Sequence, residues 1–202
     1  MAQTTDIGIC NLALGLLGSA NRIASLTERS AEAVACTAFF DEVRDATLRD
    51  FDWPFAKSIV ALVEAADNPT TEWAYAYRVP STCLKVRRIQ SGNVREGYGD
   101  RVKYLLAYDD SGQIILTNEA SAILEFTKRI TVVGHLPSDF RLTLAAHLAA
   151  WIAPQVTGGD KFKLAERVMK SYLLRIENTK ANAQSEESPP ELAESEFIRG
   201  RN

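Results

Sequence analysis

With 202 residues, 46% of them hydrophobic and 24% charged, the chain is long enough to bury a core and too balanced in composition for a disordered or fibrous protein. The formal net charge of −3 excludes the strong overall positive field on which non-specific nucleic-acid binding draws, so any such contact is expected to be local. Three scattered cysteines, Cys10, Cys36 and Cys83, form no CxxC pair and read as reduced thiols of a cytosolic compartment.

The first segment, Thr5 to Leu17, places Ile7, Cys10, Leu14 and Leu17 at helical spacing, with Thr5 or Asp6 as cap and Gly18 as stop. Its apolar run is interrupted by Asn11, falls short of the roughly 20 residues of a membrane span, and lacks a basic flank; neither a span nor a signal peptide is expected. Ser30 caps a longer helix to about Phe51, whose stripe of Cys36, Phe39, Phe40, Val43, Thr47 and Phe51 should pack on the first helix. The run Asp52-Trp53-Pro54-Phe55 ends it, because proline lacks an amide donor and disfavours helix in the preceding residue.

The middle of the chain reads as strands. Ser58 to Val63, Trp73 to Val79, Cys83 to Ile89, Val102 to Tyr108, Ile114 to Thr117 and Ala122 to Ile130 are short runs of β-branched and aromatic residues. Turn formers separate several of them, and no helix-length segment does, so an antiparallel meander is expected rather than βαβ units.

Helix returns near Ser138, a candidate cap. From Phe140 to about Pro154 one side carries Phe140, Leu144, Leu148, Trp151 and Ile152 and the other Ala145, Ala146, Ala149, Ala150 and Ala153, so both sides should be buried. The alanine side can pack within the bundle or against a neighbouring subunit. Gly158-Gly159 breaks this helix, and a last one from Asp160 to about Asn182 carries Ala165, Val168, Met169, Tyr172, Ile176 and Thr179 as its stripe. The expected fold class is α+β: a four-helix-type bundle from residues 1–56 and 137–184, an antiparallel β insertion over 57–136, and a polar tail over 185–202.

Chemistry-bearing motifs are few. His147, beside Phe140 and Trp151, reads as a hydrogen-bonded core or interface histidine, and His135 as a loop residue. No HExxH, GxSxG, GxGxxG or Cys/His cluster is present, so no catalytic residue, cofactor or metal is expected. Cys10 and Cys36 sit in apolar stripes as small hydrophobes, and Asp41 and Asp45, near Arg44 and Arg49, read as a solvated ion-pairing face. Lys85, Arg87, Arg88, Arg95, Arg101 and Lys103 concentrate positive charge around a glycine-containing loop. Either they solubilise strand edges or they face a polyanion.

Three stretches carry a resemblance. Asn11-Leu12-Ala13-Leu14 through Leu17-Gly18 and Arg22-Ile23, then Asp52-Trp53-Pro54-Phe55-Ala56, then Tyr77-Arg78-Val79-Pro80 with Cys83-Leu84-Lys85-Val86 are similar, in order and spacing, to the tail tubular protein A, or head-to-tail adaptor, family of short-tailed bacteriophages. The match covers about the first half of the chain; the second half agrees only in plan. The resemblance implies a non-enzymatic virion protein, made in the host cytoplasm, forming a ring often of twelve copies between portal and tail nozzle, with double-stranded DNA passing through its lumen. It implies no membrane. On that reading the six basic residues above become candidates for the lumen wall. Trp53 and Phe55 become a plug where the chain leaves the bundle. Leu192, Phe197 and Ile198 become anchors of a tail that orders, from Pro189 onward, on docking to the portal. The rival reading is a nucleic-acid-binding or small-molecule-binding α+β module. Against it stand the lack of an Arg/Lys/Asn/Gln-rich recognition helix and the scarcity of pocket-forming polar motifs.

Overall fold

The computed structural model describes residues 5–91, 102–157 and 161–186. The fold is α+β, with N-terminal and C-terminal helix pairs packing together and an inserted antiparallel β region of two sheets. Two compact units result: residues 5–56 with 129–186, and Lys57–Lys128.

In the helical unit, α1 (Asp6–Leu16) and α2 (Ala31–Arg49) begin where side-chain caps satisfy otherwise unpaired amides. Thr5 Oγ1 accepts from the Gly8 amide at 3.2 Å and Ser30 Oγ from that of Ala33 at 3.3 Å. Helix α1 closes through Gly18, whose φ of +75° suits a residue without Cβ. The amide of Asn11 then ties the return loop back onto α1: Nδ2 donates to the Ile23 carbonyl and Oδ1 accepts from the Ile23 amide, both at 2.9 Å.

Helix α3 (Ser138–Val156) starts one residue earlier in kind than the sequence suggests. Pro137, in extended conformation, holds the cap position; Ser138 makes no capping bond, and Asp139 Oδ1 accepts from the Phe140 amide at 2.8 Å instead. Both faces of α3 are buried, Phe140, Leu144 and Leu148 as fully as Ala145 and Ala149. It is therefore the central helix: α4 (Lys161–Ser185), α2 and α1 all pack on it. The expected α1–α2 pairing is the minor contact, because the wide apolar circumference of α3 offers α2 more surface to bury than the 11-residue α1 does. Trp151, expected inside, is half-exposed and stacks on Phe39 at 5.9 Å. The glycine pair at 158–159 lies outside the described residues.

Trp53 occupies the core's centre, fully buried and edge-on to Phe51 and Phe140, each at 5.1 Å, with Phe55 at 5.8 Å. Its indole N–H donates to the Thr47 carbonyl at 3.0 Å, satisfying one of the carbonyls that the end of α2 leaves unpaired. Phe55, expected to plug the bundle with Trp53, is half-buried beside it.

Polar pins hold the helices in register. Thr47 Oγ1 donates its single proton to the Val43 carbonyl at 2.7 Å, so toward His147 Nδ1, 2.8 Å away, it accepts, and the neutral imidazole carries its proton on Nδ1. Burial pushes the His147 pKa below its ordinary value, against a weaker opposing pull from Asp50. The ring stacks on Tyr172 at 4.1 Å, and the Tyr172 hydroxyl donates to Asp50 Oδ2 at 2.6 Å.

The β unit departs from a meander. Strands β1 (Lys57–Ala61), β7 (Ile123–Lys128) and β4 (Cys83–Gln90) form one sheet in the order β1-β7-β4; β2 (Val63–Glu64), β3 (Tyr75–Arg78), β6 (Gly112–Thr117) and β5 (Tyr104–Asp109) form the other in the order β2-β3-β6-β5. All pairs are antiparallel, but β7 sits between two strands distant in sequence. Lys57 lies opposite Thr127, so the insertion leaves and returns through adjacent strands, the geometry that lets a domain be inserted without stretching its host. Tyr77, Ile89, Ile115, Leu124 and Phe126 form the core of this unit. The β5–β6 hairpin turns at Gly112, φ +125°, and Asp109 accepts both Arg78 guanidinium donors at 2.6 Å as well as the Ser111 amide. Those donors hold the Asp109 carboxyl below its ordinary pKa.

Candidate nucleic-acid interface

A regular strand would send Lys85 and Arg87 to one face and Arg88 and Gln90 to the other. Strand β4 contains two register shifts against β7, between Cys83 and Lys85 and between Val86 and Arg88. The second makes Arg87 the extra residue of a bulge. Opposite residues share a face, so Val86 with Phe126 and Ile89 with Leu124 point into the core, while Lys85 with Thr127, Arg88 with Glu125 and Gln90 with Ile123 point out. Arg87 joins the outer set: its Nε donates to Thr127 Oγ1 at 3.0 Å. Register on the other side of β7 adds Lys57, opposite Thr127, and Ile59, opposite Glu125.

The outer face thus gathers Lys57, Lys85, Arg87 and Arg88 beside Glu125. Glu125 is nearly buried and accepts from Arg88 Nε at 2.9 Å, from Arg88 Nη2 at 2.8 Å and from Gln90 Nε2 at 3.2 Å. This geometry orients Arg88 along the sheet and offsets part of the positive charge. A cluster of dispersed cations of this kind suits weak, salt-dependent phosphate contact.

Of the six basic residues singled out above, the structure brings Lys85, Arg87 and Arg88 together. Lys103 is not with them; it precedes β5 in the other sheet, and its carbonyl accepts from Thr117 Oγ1. Arg95 and Arg101 lie outside the described residues, as do the tail residues Leu192, Phe197 and Ile198. Sequence reading missed Lys57 and Glu125, because cross-strand register between distant strands leaves no local signal.

In the helical unit, Asp41 and Asp45 do form ion pairs, but through a buried cation: Arg44 meets Asp41 at 2.6 Å and Asp45 at 2.8 Å, and Arg129 meets Asp45 at 2.7 Å. The same unit leaves large apolar side chains in solvent, with Phe162 81% and Leu174 73% exposed and Leu12, Leu16, Leu142 and Leu173 about half-exposed. His135 is exposed, on a short 3-10 turn. Among the described residues no group of three or more His, Cys, Asp or Glu could hold a metal ion, and no helix is long and apolar enough to cross a membrane. No family model matches the chain, and no curated protein is significantly similar to it.

Proposed function

We propose that the chain is a structural subunit of a short-tailed phage particle, a head-to-tail adaptor whose copies form a ring between portal and tail nozzle and let double-stranded DNA pass. The observation that carries this reading is the apolar surface of the helical unit. Phe162, Leu173 and Leu174 on α4, with Leu12, Leu16 and Leu142, are more large exposed apolar side chains than solvation alone favours, and they suit a subunit covered by neighbours.

Several residues that carry the family resemblance support it further by holding joints of the fold. Asn11 and Ile23 lock the α1 return loop, Gly18 closes α1, and Trp53 plugs the helical core where the chain leaves for β1. The dispersed cations on the outer face of β4 suit DNA in transit, where dense charge would hold the polymer.

The test is to mix the purified chain with the portal protein encoded in the same genome and image the product by electron microscopy. A ring of this protein seated coaxially on the portal is expected. Purified components that stay separate at micromolar concentration overturn the reading.

A further inference from the structure

Helices α1, α3 and α4 enclose a groove of about 540 Å³ whose lining includes Leu12, Gly15, Leu16, Arg22, Leu142 and Arg175. Its apolar part is unfilled, since Leu12, Leu16 and Leu142 each keep 40% or more of their surface in solvent. Gly15 leaves room where a side chain would stand: a Cβ there would meet Arg22 Nη2 at 3.4 Å. Arg22 is steered by backbone, its Nη1 donating to the Ser19 and Asn21 carbonyls at 2.7 and 3.0 Å, which fixes the guanidinium without neutralising it. Among the described residues neither Arg22 nor Arg175 has a carboxylate partner, and none of those lining the groove is acidic. Such a site takes small apolar groups followed by carboxylates.

The helical unit carries that pattern on another surface. Ala31, Val34, Ala38, Asp41 and Glu42 recur at three- and four-residue spacing along α2 and are all exposed. The first three are apolar and the last two acidic. Asp41 shares Arg44 with Asp45, and Glu42 has no ion-pair partner among the described residues. Helix α2 contributes nothing to the groove lining. We infer that the α2 stripe of one copy seats in the α1/α3/α4 groove of the next, with Val34 and Ala38 against the leucines and Asp41 and Glu42 on Arg22 and Arg175. Two different patches on one chain make a heterologous contact, which repeats from copy to copy and closes into a ring when the rotation allows. The inference rests on the ring reading above and names the interface within it.

The test uses the full chain in sedimentation equilibrium and on the portal. Arg22→Glu/Arg175→Glu and Asp41→Lys/Glu42→Lys should each weaken self-association at least tenfold, an equimolar mixture of the two should restore it, and one chain carrying all four changes should associate like the wild type. Glu42→Lys alone, which breaks no ion pair among the described residues, guards against misfolding and should weaken association in the same direction. Variants that associate like the wild type, or a mixture that stays dissociated, overturn the interface. If those variants still form rings on the portal, this interface falls and the adaptor reading stands. If the wild type self-associates through these patches but ignores the portal, the adaptor reading falls and the interface stands.

Discussion

The helical unit and the three-stranded sheet use their buried polar groups differently. Among the helices, Thr47, His147 and Tyr172 are buried and each meets a partner on another helix or at its end, so polarity there fixes which helix packs on which. In the three-stranded sheet the face toward Leu124 and Phe126 is apolar, and on the other face the buried Thr127 and Glu125 accept from Arg87 and from Arg88, whose side chain stays half-exposed. Polarity inside a core sets uniqueness; polarity outside it is available for binding.

The largest expected effect tests the centre of the helical side. Trp53→Ala should cost about 3–5 kcal/mol in chemical denaturation, the scale for removing a buried large aromatic; a loss under about 1 kcal/mol would mean that the plug does not hold the core.

Next comes the pin. Thr47→Val keeps the volume but leaves the His147 Nδ1–H facing a methyl group, and should cost about 1–3 kcal/mol. His147 also predicts a pH dependence. Its pKa is lowered on folding, so the unfolded chain binds the proton first; the stability due to the neutral ring is complete above its ordinary value near 6.5 and is lost as pH falls below it. Denaturation midpoints from pH 8 to 5 should therefore fall for the wild type and flatten in His147→Gln. Equal slopes would assign the pH dependence to other groups.

The smallest effect is on the sheet. Arg88 is 46% exposed, so solvent screens its charge, but the nearly buried Glu125 would keep only Gln90, and Arg88→Ala should cost about 1 kcal/mol. A greater loss would make Glu125 a core anchor like those of the helices and erase the contrast. Reversing Arg87 and Arg88 to Glu should leave ring formation intact while changing DNA retention or ejection in assembled particles; unchanged ejection returns these arginines to a solubilising role.

Sequence reading succeeded where the signal was local. Thr5 and Ser30 announce their helices by capping chemistry, and the apolar circumference of α3 announces a buried helix. It failed where the signal was distant or ambiguous. Pro137 took the cap role expected of Ser138 because its extended backbone already ends the preceding segment. The insertion of β7 between β1 and β4 depends on pairing across tens of residues, and the bulge at Arg87 follows from that pairing. The basic face was therefore legible as a charge cluster, but its membership and the place of Glu125 in it were not. The groove at Arg22 and Arg175 was invisible, since three helices supply its walls.

Cys10 on α1 and Cys36 on α2 are both fully buried and meet across the two helices, and the Cys10 thiol is pushed above its ordinary pKa by hydrogen bonding to Cys36 and by burial. An 11-residue helix has little stability of its own, so α1 persists through packing. The two sulfurs consequently act as a clock for its departure. In a Cys83→Ser background, a thiol reagent modifies the folded protein only in the moments when α1 has lifted away. Each tenfold retardation relative to the unfolded chain then measures about 1.4 kcal/mol of opening free energy. Repeated with and without the assembled ring, the same measurement would time how much neighbouring copies slow the breathing of a single helix.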